Sequence, residues 1–73
     1  MNDFIKLTHI TNNRAVCVRK TDIVMLREDV YTGWYEDEKY HKPCTTVFLS
    51  EDKKDWIWVE ESADKIMEMM KDE

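Results

Sequence analysis

The sequence predicts an α+β chain: a small antiparallel β-sheet of four to five strands, drawn as two or three hairpins, closed by one C-terminal amphipathic helix. Three observations point there. Short runs rich in Val, Ile, Thr and aromatic residues alternate with polar turn segments over most of the chain. Only one stretch, near the C-terminus, repeats its apolar residues with helical spacing. At 73 residues the chain has room for a single domain, 1–73, and for no second core.

The first run, Phe4 to Ile10, is followed by Thr11-Asn12-Asn13-Arg14, whose asparagines tolerate the positive φ of a tight turn. A second run, Ala15 to Arg19, comes straight after. With Asn12 and Asn13 as a two-residue loop, Leu7 faces Val18 and His9 faces Val16, and Ile5, Leu7, Val16 and Val18 share one face. Thr21-Asp22 then reads as a corner or single helical turn. Ile23-Val24-Met25-Leu26, apolar on both faces, and Val30-Tyr31 beyond Arg27-Glu28-Asp29 read as a third, central strand. Gly33 and Pro43 are the only glycine and proline. The segment between them, Trp34 to His41, is charged in the middle and aromatic at both ends, which predicts a protruding arm over about 31–43.

Thr45 to Leu49 reads as a fourth strand, Ser50 to Asp55 as a polar turn and Trp56 to Val59 as a fifth strand. Pairing Leu49 with Trp56 would put Val47, Leu49, Trp56 and Trp58 on one face and Phe48, Ile57 and Val59 on the other. Both faces are apolar, and one helix covers only one of them, so the other is a candidate contact surface. Ser62, set among carboxylates that favour the positive end of a helix dipole, can cap a helix over about 62–71. Its stripe is Ala63, Ile66, Met67 and Met70, with Lys65, Glu68 and Lys71 outward.

Composition narrows the function. Eleven Lys and Arg against sixteen Asp and Glu give a net charge of -5, the wrong sign for holding a phosphate backbone, so nucleic acid is not an expected partner. No run reaches the ~18 apolar residues of a membrane span. The start, Met1-Asn2-Asp3-Phe4, lacks the pattern of a secretory signal, and two cysteines make no disulfide framework; the reading is a cytoplasmic protein with reduced thiols. A chain this small, without a disulfide or metal staple, has a thin stability margin, and that favours a homo-oligomer.

His9, Cys17, His41 and Cys44 match a tetrahedral zinc shell in number. In the first hairpin, however, His9 and Cys17 point to opposite faces, so the four do not converge. Glu36, Asp37 and Glu38 sit at a loop tip, Glu51, Asp52 and Asp55 in a turn, and Glu60 and Glu61 at a helix start. None is set in the apolar surroundings that raise a catalytic pKa. No nucleophile motif, phosphate loop or HExxH is present. The reading is therefore a non-enzymatic protein with no cofactor and no metal.

The aromatic set is more telling. Trp34, Tyr35, Tyr40, Trp56 and Trp58 are the candidate interface residues, because Trp and Tyr dominate binding hot spots. Packing of Trp56 and Trp58 into the monomer's own core is the competing reading. The expected function is a small oligomeric interaction or accessory protein that binds another protein through this surface. Two alternatives are a module that holds a small, nucleotide-like anion between aromatic rings and Arg14, Arg19 or Arg27, and an acidic phage-type inhibitor that fills a basic groove.

Ile5-Lys6-Leu7-Thr8, Asp22-Ile23-Val24, Thr46-Val47-Phe48-Leu49-Ser50 and Val59-Glu60-Glu61-Ser62 before a short terminal helix together resemble the small flagellar FlbD/SwrD-like proteins. That resemblance implies a non-enzymatic accessory role. The arm from about Tyr31 to Lys42, the turn Ser50 to Asp55, and Trp56 and Trp58 depart from the family pattern.

Overall fold

The computed structural model describes residues 3–71. It is α+β: strands β1 (Phe4–Thr8) and β2 (Ala15–Arg19), a 3-10 turn (Lys20–Asp22), strands β3 (Met25–Tyr35), β4 (Glu38–Phe48) and β5 (Trp56–Val59), and helix α1 (Ala63–Lys71). The five strands form two antiparallel sheets, β1-β2 and β3-β4-β5, instead of one. They meet at a corner. The chain leaving β1 runs beside β5, where His9 bridges Val59, Ile10 N–H donates to the Trp58 carbonyl (3.1 Å) and Glu60 N–H to the Thr8 carbonyl (2.9 Å). This pairing stops where Ile10 turns into the core, so the two sheets fold over each other. Ile5, Leu7 and Val18 from one sheet meet Val47 and Val59 from the other, and Ile66 of α1 completes the cluster.

The first hairpin corrects the expected register. Leu7 pairs with Val16 and Ile5 with Val18, two residues from the expected pairing. The loop is longer than Asn12-Asn13: His9 N–H donates to the Arg14 carbonyl (2.9 Å), Asn13 N–H to the His9 carbonyl (3.1 Å), and Asn13 alone takes a positive φ, 60°. Burial of Ile10 (5% exposed) explains the difference, since a two-residue turn would have left it on the solvent face of the strand. A slip of two keeps side-chain parity, so Ile5, Leu7, Val16 and Val18 still share a face.

Strands β3 and β4 form one long hairpin closed by Glu36 and Asp37, both at positive φ (50° and 68°), as a two-residue turn of matching twist requires. β3 is an edge strand and β4 is central, reversing the expectation that the third strand lies in the middle. Pro43 is tolerated in β4 because β5 begins pairing only at Thr45, so its missing N–H falls beyond the end of β5. The radius of gyration is 12.9 Å, against ~11 Å for a compact chain of this length, and the molecule is 44 Å long. The far half of the hairpin extends past the core.

β4 and β5 pair Phe48 with Trp56 and Thr46 with Trp58, one residue from the expected register. The cause is the loop. Leu49 N–H donates to the Asp55 carbonyl (2.7 Å), and Ser50 Oγ accepts from Lys54 and Asp55 N–H (both 3.2 Å) while donating to Asp52 (2.7 Å). A slip of one exchanges faces. Val47, Ile57 and Val59 turn inward, and Trp56 and Trp58 turn outward with Phe48.

Ser62 caps α1 by accepting the Lys65 N–H (3.1 Å), and the chain before it is clasped to β1. The Thr8 N–H and hydroxyl donate to the two Glu61 carboxylate oxygens (2.9 Å each), and the Thr45 hydroxyl donates to the Glu61 carbonyl (2.7 Å). The helix is turned from the expected stripe. Ile66 is fully buried with Ala63, Met69 and Met70 around it, whereas Met67 is 53% exposed. Ile66→Ala is therefore expected to lower the unfolding free energy by about 2–5 kcal/mol and Met67→Ala by under ~0.5 kcal/mol in urea titrations; comparable losses would contradict this helix orientation.

Candidate functional site

Alternation along β3, β4 and β5 assigns one side of the three-stranded sheet to the core and the other to Arg27, Asp29, Tyr31, Gly33 and Tyr35, Tyr40, Cys44, Thr46 and Phe48, and Trp56 and Trp58. Four rings form a ladder on this outer side. Trp56 and Trp58 stand 4.8 Å apart, Trp58 meets Tyr31 edge-on at 5.5 Å, and Tyr31 meets Tyr40 at 6.4 Å. The Trp58–Tyr31 contact spans from β5 to β3 across β4, so the small side chains between them, Cys44 and Thr46, are buried. Tyr40 ends the ladder by lying on Gly33: a Cβ there would come within 2.7 Å of the ring. Glycine is thus the residue that lets the tyrosine lie flat against the strand. Trp56 and Tyr40 remain 44% and 42% exposed at the two ends.

Beside the ladder sits a polar cluster. Arg27 Nε donates to Asp29 Oδ2 at 2.9 Å, the Thr46 hydroxyl donates to the same oxygen, and the Arg27 guanidinium lies 5.2 Å from the centre of the Phe48 ring. The Thr46 hydroxyl bond, and secondly Arg27, hold the Asp29 carboxyl below its ordinary pKa. Burial, and secondly the Asp29 charge, push the Cys44 thiol up, away from the thiolate a nucleophile or metal ligand needs. The candidate anion-binding arginines are apart. Arg27 is engaged by Asp29, Arg19 lies by Asp22 (3.9 Å) and the Phe4 ring on the two-stranded sheet, and Arg14 is in the first loop.

Of the five residues singled out by sequence, the structure brings together Tyr40, Trp56 and Trp58. Trp34 falls on the opposite face of the hairpin, 67% exposed, with the Lys39 ammonium 5.9 Å from its ring. Tyr35 shares the ladder's side but stands at the tip, 70% exposed. Tyr31, an inner rung beside Trp58, was missed as a site residue. The signal was available: a turn centred on Glu36 and Asp37 fixes Tyr31, Gly33 and Tyr35 on one side. His41 contacts the Thr32 hydroxyl (3.1 Å) on the arm, and no group of three or more His, Cys, Asp or Glu among the described residues is placed to hold a metal.

Asp29 gives a pH test of this cluster. Its folded pKa lies below the unfolded value of about 3.9, so its contribution to stability is complete above that value and is lost as pH falls through the folded pKa. In urea titrations, the stability difference between the wild type and Asp29→Asn is expected to be constant above about pH 5 and to close below about pH 4; a pH-independent difference would show that the carboxylate is not engaged.

Comparison of the chain with protein-family models, with curated proteins and with solved structures finds no match, leaving the geometry of this face as the basis for a functional reading.

Proposed function

We propose that this is a non-enzymatic interaction protein that docks another protein on the outer face of its three-stranded sheet. The observation that carries the reading is the continuous ladder of Trp56, Trp58, Tyr31 and Tyr40, linked by ring contacts and open to solvent at both ends. Pre-formed aromatic anchors lose little conformational freedom on binding, and such residues contribute most of the affinity in protein interfaces. The engagement of Arg27 with Asp29 favours this reading over capture of a small anion. The resemblance to FlbD/SwrD-like proteins implies an accessory role of the same kind. Self-association belongs to the same proposal, because a chain this short has little core to spare.

A photo-crosslinking amino acid placed at Trp56 is expected to give a discrete adduct in cells, and the same group at Lys6, exposed on the outside of β1, is expected to give none. Tyr40→Ala should weaken capture of the identified adduct partner about 30-fold while leaving the melting temperature nearly unchanged, and binding should persist in moderate salt. Adducts from Lys6 but not Trp56 would place the binding surface elsewhere. Strong salt sensitivity would instead favour an acidic inhibitor.

A further inference from the structure

We infer that the free edge of β3 is a self-association edge, on which a second copy of this chain adds its own β3 in antiparallel register about Val30. The inference rests on the proposed binding role and specifies its self-association. Tyr35, Trp34 and Val30, at 70%, 67% and 64%, are the most exposed large apolar residues among those described, and all three are on β3. That strand is eleven residues long and keeps an unbroken register with β4 on one side. On the other side it pairs with no strand among the described residues. It carries neither lysine nor proline, two of the devices that protect edge strands from pairing, and its charges are confined to Arg27, Glu28 and Asp29, of which Arg27 and Asp29 are paired with each other.

The hydrogen-bonding phase follows from the turn. A two-residue loop at Glu36 and Asp37 makes Tyr35 and Glu38 a hydrogen-bonded pair, so by alternation the odd-numbered residues of β3 bond β4. The N–H and C=O groups of Leu26, Glu28, Val30, Thr32 and Trp34 therefore point to the open edge. Among the described residues, the backbone bonds outside the strand ladders engage none of them.

Symmetry then restricts the register. A two-fold axis normal to the sheet keeps each side chain on its own face, so each pair must join residues of the same parity. Centring on Asp29 or Glu28 would oppose like charges. Centring on Tyr31 brings Glu28 against the second copy's Trp34. Centring on Val30 places Val30 against Val30, Leu26 against Trp34, Met25 against Tyr35, Glu28 against Thr32 and Arg27 against Gly33, with no like charges opposed. Every strongly exposed apolar side chain of β3 then meets an apolar partner, and the two sheets become one sheet of six strands.

The test uses the full chain with Cys17→Ser, which removes the exposed native thiol. Native mass spectrometry should show a dimer. Val30→Cys should form an intermolecular disulfide on mild oxidation, because facing residues of a bonded pair stand about 5.5 Å apart. Glu28→Cys should crosslink efficiently only when mixed with Thr32→Cys. Val30→Lys, which sets two ammonium groups across the axis without removing a bond to β4, should raise the dimer dissociation constant at least about ten-fold while circular dichroism stays unchanged. A monomeric parent, a dimer that tolerates Val30→Lys, or equal crosslinking from Val30→Cys and Glu28→Cys alone would overturn the inference. Loss of Trp56 adducts with the dimer intact would instead count against the outer-face reading and leave this one standing.

Discussion

The constraint on which the rest of this structure depends is that the C-terminal half of β4 is buried on both sides. Every residue from Cys44 to Phe48 is buried, although alternate residues point to opposite faces of the sheet. The inner side presents no difficulty. Val47 and Thr45 face the core formed with β1, β2 and α1, and the Thr45 hydroxyl is satisfied by the Glu61 carbonyl. Among the described residues the outer side has no second layer of secondary structure, and it is roofed by side chains from the flanking strands. The ring contact between Trp58 and Tyr31 closes over Cys44 and Thr46, while Arg27 lies over Phe48 and satisfies, through Asp29, the hydroxyl of Thr46. Each buried hydroxyl on this strand thus has a partner, as burial of a polar group requires.

A roof made of side chains differs from one made of a helix in what it offers to other molecules. A helix would turn its polar face to solvent, whereas the ladder presents the edges and faces of its own rings. The feature that stabilises the central strand is therefore also the surface proposed to bind. The arm has a different origin: it is the continuation of β3 and β4 beyond the point where β5 and the core can support them. Its most exposed apolar residues, Val30, Trp34 and Tyr35, lie on β3, an edge strand, which links the shape of the monomer to the assembly inferred for it.

Much of the fold was legible in the sequence because it rests on local signals. The β-forming runs gave five strands, and the spacing of Ala63, Ile66 and Met70 gave the terminal helix. Register was not legible where it is set by long-range burial. Ile10 lengthened the first loop by turning into the core, an event that nothing within the hairpin announces. The loop from Ser50 to Lys54 is closed by hydroxyl and carboxylate bonds with only Lys53 at positive φ, so no Asn-Gly or Asp-Gly signature marked its length. The error of one residue there mattered more than the error of two in the first hairpin, because it moved Trp56 and Trp58 to the opposite face. The helix stripe shifted from Met67 to Met69 because either methionine fits the same periodicity and only the position of Ile66 against the sheets decides between them. Of the candidate site, Tyr40, Trp56 and Trp58 were found by composition, and Tyr31 required the register of the long hairpin.

The central claim is that the tryptophans of β5 face outward, and the register of β4 against β5 decides it. In an antiparallel pair, residues that face each other without exchanging backbone hydrogen bonds bring their α-protons close together. Solution NMR of the wild-type chain should then show strong α-proton contacts between Thr46 and Trp58 and between Phe48 and Trp56. A strong α-proton contact between Val47 and Trp58 in their place would turn both tryptophans toward the core and contradict the account.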